Sequence, residues 1–87
     1  MGTAGDGAVV SGNGPGNTLM FAQLWNKDGD TGVITPDNVG TTGNRPGDPA
    51  APTNIVAVVT NAAGQVVTMF PASPTYVANQ GATLTPP

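Results

Sequence analysis

Asn54-Ile-Val-Ala-Val-Val-Thr60 and Gln65-Val-Val-Thr-Met-Phe70, separated by Asn61-Ala-Ala-Gly64, decide the fold class of this chain. Both runs are rich in β-branched residues, whose stiff χ1 suits a pleated strand better than a helix. The connecting loop is four residues long and ends in Gly, which fits a type I turn closed by a left-handed residue. A β-hairpin over residues 54–70 is therefore expected. After Pro71 and Pro74, Thr75-Tyr-Val-Ala78 and Ala82-Thr-Leu-Thr85 are expected as further short strands before Pro86-Pro87.

Upstream of the hairpin, residues 36–53 read as a Pro/Gly-rich linker. Pro46, Pro49 and Pro52 recur every third residue and favour extended, polyproline-like geometry. Residues 18–25, Thr-Leu-Met-Phe-Ala-Gln-Leu-Trp, are the first dense apolar run. On a helix Phe21, Leu24 and Trp25 share a face. On a strand Leu19, Phe21 and Gln23 oppose Met20, Ala22 and Leu24. Periodicity over so short a run does not arbitrate. Residues 26–32 are turn-forming by composition, and Val33-Ile34-Thr35 reads as a return strand ended by Pro36. Residues 1–17, with Gly at 2, 5, 7, 12, 14 and 16, read as a flexible arm. The fold expected is one small, mainly β domain with much irregular structure. It comprises an arm (1–17), an apolar element with a polar turn (18–35), a linker (36–53), and a hairpin with C-terminal strands (54–87) forming a small sandwich-like core.

Composition narrows the function classes. The 87 residues include 13 Gly and 9 Pro, about a quarter of the chain, and only 5 % aromatics: Phe21, Trp25, Phe70 and Tyr76. There is no Cys and no His, so neither a disulfide scaffold nor a thiolate or imidazole metal site is available. The charged residues are Asp6, Lys27, Asp28, Asp30, Asp37, Arg45 and Asp48, for a net charge of −3. Two separated cations cannot form a phosphate-neutralising stripe, so nucleic acid is not an expected partner. Ile55–Val59, the longest strongly apolar stretch, is too short to span a bilayer, and no membrane partner is expected. Met1 leads into Gly-Thr-Ala-Gly-Asp without a basic or apolar leader, so the chain is expected to stay where it is made until assembly.

One string resembles a metal-binding motif. Asn26-Lys-Asp28-Gly-Asp30-Thr-Gly32-Val-Ile-Thr-Pro-Asp37 is similar to the calcium loop of the EF-hand family, placing Asn26, Asp28, Asp30 and Asp37 at loop positions 1, 3, 5 and 12. Calcium is the only cofactor that resemblance implies. The string departs from the family at position 6, which is Thr31 rather than Gly, and at position 12, an Asp after a Pro rather than Glu. A plain polar turn accounts for the same residues. No catalytic set is expected: His, Cys and Glu are absent, and Asp28 and Asp30 sit in turn sequence. Gly12-Asn-Gly-Pro-Gly16 lacks the Gly-Lys-Ser/Thr ending of a phosphate loop.

The apolar content is too small to offset the entropy of ordering both arm and linker, so protein partners are expected to supply that order. Trp25, Phe70 and Tyr76 are the candidate anchors, either under the chain's own hairpin or in a neighbour's pocket. A short, acidic, Cys-free chain rich in Gly, Thr, Asn and Pro resembles, in composition, the capsid decoration or cement proteins of bacteriophages. That resemblance implies a non-catalytic virion protein, made in the host cytoplasm and bound to the capsid exterior. Its partners would be a major capsid protein and copies of itself. A tail or head-fibre component is a close alternative, and a surface-filament subunit a further one. The alternative of another class is a small binding module, calcium-dependent through residues 26–37 or Ig-like. For the latter, Ala51-Pro-Thr-Asn-Ile-Val-Ala-Val resembles the opening strand of a fibronectin-type sandwich.

Overall fold

The computed structural model describes residues 2–5, 9–11 and 16–84, with side chains from residue 16 onward. The expected hairpin is present. Strand β7 (Ile55–Thr60) pairs antiparallel with β8 (Val66–Ala72) around the Asn61–Gly64 turn. Asn61 N donates to Gln65 O (2.9 Å) and Gly64 N to Asn61 O (2.9 Å), while Gly64 takes the left-handed φ of 81° that closes the turn. The register shifts between Val59 and Thr60: Val59 faces Thr68 but Thr60 faces Val66, so Val67 is the extra residue of a β-bulge.

Residues 18–25 are strand. They belong to β3 (Thr18–Lys27), which runs through the middle of the sheet. Thr18–Gln23 pair with β7, and farther along the same side Trp25–Lys27 pair with β4 (Ile34–Pro36), the expected return strand. Two segments of the expected arm are also strands: β1 (Gly2–Gly5) and β2 (Val9–Ser11) both pair with β3, at Gln23–Asn26 and Thr18–Met20. A ladder needs only backbone N–H and C=O groups, which a Gly-rich segment supplies as well as any other. Residues 1, 6–8 and 12–15 of that arm, Thr85 of the expected last strand, and Pro86 and Pro87 after it lie outside the described residues.

A strand placed between neighbours can be apolar on both faces, and alternation decides which face becomes core. Leu19 and Phe21 of β3 share a face with Ile55, Ala57 and Val59 of β7 and with Ala72 of β8, and all six are buried. The layer that covers this face is a helix. Residues 75–78, expected as a strand, lie in α1 (Pro74–Asn79), whose Val77 joins the core. Its start is built by Ser73, whose Oγ accepts from Tyr76 N (2.9 Å), with Pro74 at the first helical position. Its end is a Schellman motif. Gly81, at φ 74°, donates to Ala78 O and Ala82 N donates to Val77 O. Ala82 is thereby folded back into the core beside Val77, and Ala82–Leu84 form no strand. Capping chemistry outweighed the strand propensity of Thr75, Tyr76 and Val77.

The expected linker folds on itself. β5 (Gly40–Thr41) pairs with β6 (Pro52–Thr53), the ladder continues as Thr42 N to Ala51 O (2.9 Å), and Arg45 and Asp48 form a bridge at the tip. Gly47, at φ 75°, lets the tip reverse within Arg45–Asp48. The prolines stand at positions that need no ladder donor, so the segment forms a second hairpin rather than a polyproline spacer.

Phe21→Ala is expected to cost about 3–5 kcal/mol, enough to unfold a domain of this size, whereas Val33→Ala should stay within about 0.5 kcal/mol. Urea titrations of the two variants check this, and equal midpoints would contradict the placement of the core.

Candidate functional site

At the junction where β3 passes from β7 to β4, one side chain replaces ladder contacts. Asn54 Nδ2 donates to Leu24 O (2.9 Å), Leu24 N donates to Asn54 O (2.8 Å), and Asp37 N donates to the same Leu24 O (3.1 Å). Gln23 Nε2 reaches Asn54 Oδ1 at 3.4 Å. Thr53, buried beside it, donates from Oγ1 to Ala72 O (2.7 Å) and accepts from Ile55 N (3.2 Å). Two strands can therefore lie end to end against one without orphaned backbone groups.

The second hairpin is fastened to the helix by two of the chain's few charges. The Arg45 guanidinium lies over the Tyr76 ring, 4.4 Å from its centroid. Asp48 Oδ2 accepts from Ser73 Oγ (2.6 Å), so the helix cap is itself held by the hairpin. Tyr76 also meets Phe21 and Phe70 edge-to-face at 5.9 and 5.6 Å. Of the candidate anchors, Phe70 and Tyr76 thus sit half-buried in an aromatic cluster of their own chain. Trp25 is half-buried on β3, opposite Pro36, and its Nε1 is enclosed without a hydrogen-bond partner among the described residues.

The calcium-loop residues are not gathered. Asp28 Oδ1 accepts from Asp30 N (2.8 Å) and Thr31 N (3.0 Å), and Gly32 N donates to Asp28 O (3.0 Å). The carboxylate is engaged by its own turn, as in an Asx-turn. Asn26 lies within β3, paired with Thr35, and Asp37 follows β4. Among the described residues no three His, Cys, Asp or Glu side chains lie close enough together to hold a metal ion. The two backbone N–H groups, Thr31 first and Asp30 second, hold the Asp28 carboxyl below its ordinary value of 3.8.

The feature that the strand sequences leave exposed is the other face of the sheet. Register places Met20, Ala22 and Leu24 of β3, Val56, Val58 and Thr60 of β7, and Val66, Met69 and Pro71 of β8 on the side away from α1. No charged residue occurs in Thr18–Leu24, β7 or β8. Met20 is 37 % exposed, Val66 58 %, Val67 57 % and Met69 60 %. Beside Met69 the surface dips into a hollow of about 170 Å³ lined by Val39, Val56, Met69, Phe70 and Pro71. β5 rims this end: a Cβ on Gly40, whose φ is 151°, would stand 2.8 Å from Pro71 Cγ. Large apolar side chains are thus concentrated on this face of the sheet. The signal is present in the sequence, since Ile55–Val59 is apolar at every position rather than alternating. Which of these residues are covered depends on α1, the one helix among the described residues.

Among the described residues no helix is long and apolar enough to cross a membrane. Comparison with protein-family models, with curated proteins and with solved structures returns no match.

Because the Asp28 pKa is depressed in the folded turn, the contribution of this group is present above the unfolded value and lost as pH falls through the folded one. The Asp28 Cγ resonance is expected to titrate with a midpoint below 3.8. Asp28→Ala should broaden or shift the Asp30 and Thr31 amides, while Asp28→Asn, which keeps one acceptor oxygen, should preserve them.

Proposed function

We propose that this chain is a structural subunit of a larger protein assembly, of the capsid decoration class. The observation that carries the reading is the uncovered, uncharged sheet face on a slab measuring 46 × 32 × 19 Å. A domain this small buries a modest fraction of its surface on folding, so a second apolar face stays soluble but gains by being covered. The described charges lie mostly away from it, on the β3–β4 turn and at the hairpin tip, and Asp37 beside Leu24 is the carboxylate at its margin. The composition that resembles phage decoration proteins supports the same reading.

The mechanism is linkage. A subunit that binds only the assembled form shifts the assembly equilibrium toward that form, in proportion to its free concentration over its Kd. Recognition rests on shape and apolar burial, so its affinity should vary little with salt, unlike phosphate-directed binding.

Purified particles from the source should contain the chain in copy numbers comparable to the shell subunit. Purified chain should co-sediment with assembled shells but not with unassembled shell subunits, and 0.5 M salt should leave the bound fraction nearly unchanged. Mass spectrometry that finds the chain only in the soluble fraction, never on particles, would sink the proposal.

A further inference from the structure

One hydroxyl joins the second hairpin to the helix. Ser73 Oγ accepts from Tyr76 N (2.9 Å), which starts α1, and donates to Asp48 Oδ2 (2.6 Å), which fastens the hairpin tip. Arg45, at the same tip, holds its guanidinium 4.4 Å from the centroid of the Tyr76 ring. We propose that the second hairpin and α1 form one latch over the core face of the sheet. They open and close together as a single cooperative unit, while the ladders joining β3, β7 and β8 stay paired.

Neither half is built to hold its place alone. The helix is six residues long, a length at which isolated helices are marginal in water. The hairpin gives no side chain to the described core; Thr42 is the buried residue of 37–52, and it is polar. Its strands β5 and β6 are two residues each. The sheet beneath is different. β3 and β7 pair along the whole of Thr18–Gln23, and Ile55, Ala57, Val59 and Ala72 carry β7 and β8 into the core. Local opening starts in segments with few buried apolar contacts, which here are the hairpin and the helix. Thr53, whose Oγ1 donates to Ala72 O, keeps the base of the hairpin in place, so the motion is a swing of the tip. Drawing Asp48 away leaves the Ser73 hydroxyl without its acceptor and free to rotate off Tyr76 N, which loosens the cap. Loss of the helix in turn removes the ring under Arg45 and the donor to Asp48. The coupling is reciprocal. A group that engages the exposed Arg45 from outside loosens the helix and, through Tyr76, the edge-to-face cover on Phe21.

Native-state amide exchange of the full chain in rising urea tests this. It reads Val77, Gln80 and Ala82 in and after the helix, Thr42, Arg45 and Asp48 in the hairpin, and the hydrogen-bonded amides of Thr18–Gln23 in the ladder. Helix and hairpin amides are expected to share one opening isotherm, at least tenfold less protected than the ladder and with a smaller urea slope. Asp48→Ala should speed exchange at Gln80 and Ala82 at least tenfold, and Ser73→Ala should do the same at Thr42 and Arg45. Asp48→Asn, which keeps an acceptor oxygen, should restore most of the lost protection. Three results overturn the proposal: separate isotherms for helix and hairpin, exchange of both only together with the ladder, or an Asp48→Ala effect confined to the hairpin's own amides. Should a variant lose its native circular dichroism, the isotherms of the parent chain decide by themselves.

Discussion

The antiparallel ladder between Thr18–Gln23 and Ile55–Thr60 joins segments more than thirty residues apart and holds everything else in place. It brings Leu19 and Phe21 beside Val59 and Ala57, creating the apolar sheet surface on which α1 lies. The same ladder fixes where β1, β2 and β4 attach, because all three find their partners along β3. A slip of one residue would turn Phe21 to the opposite face and place Met20 in the core, so burial of the aromatic cluster specifies the register.

Polar residues in this chain act at seams. Asn54 bridges the gap where β4 and β7 meet end to end along β3, and Thr53 ties the bend before it to the end of β8. Ser73 caps the helix and donates to Asp48, while Arg45 covers Tyr76. These contacts explain how a segment rich in Pro and Gly acquires a defined position without a large core of its own. The second hairpin is held at one end by the Thr53 hydroxyl, which donates to Ala72 O, and at the other by the helix. An exposed cation over an aromatic face contributes on the order of 0.5–1 kcal/mol, a modest amount that adds to a ladder already formed.

Among the described residues, one helix lies on one face of a sheet whose strands carry apolar side chains on both. The β8 edge is restrained by the Val67 bulge and by Pro71, both of which interrupt the regular donors that edge-to-edge pairing needs.

The sequence by itself determined the hairpin at 54–70, its Gly-closed turn, a return strand at Ile34–Thr35 and the polar turn that follows Lys27, though Asn26 and Lys27 belong to β3 and Pro36 to β4. Each depends on neighbouring residues whose φ preferences and β-branching act locally. It also held a legible start and stop for α1, Ser73-Pro74 and Gln80-Gly81, but strand propensity at Thr75–Val77 masked them. The tertiary structure alone decided that 18–25 is strand, since eight residues fit either period until β7 supplies a partner. It alone decided that 37–53 closes into a hairpin and that Phe70 and Tyr76 face inward. It also decided that the Asp28 carboxylate serves its own turn and that Met20, Val66, Val67 and Met69 stay exposed. Those outcomes rest on contacts between residues far apart in sequence, whose energies no local window contains.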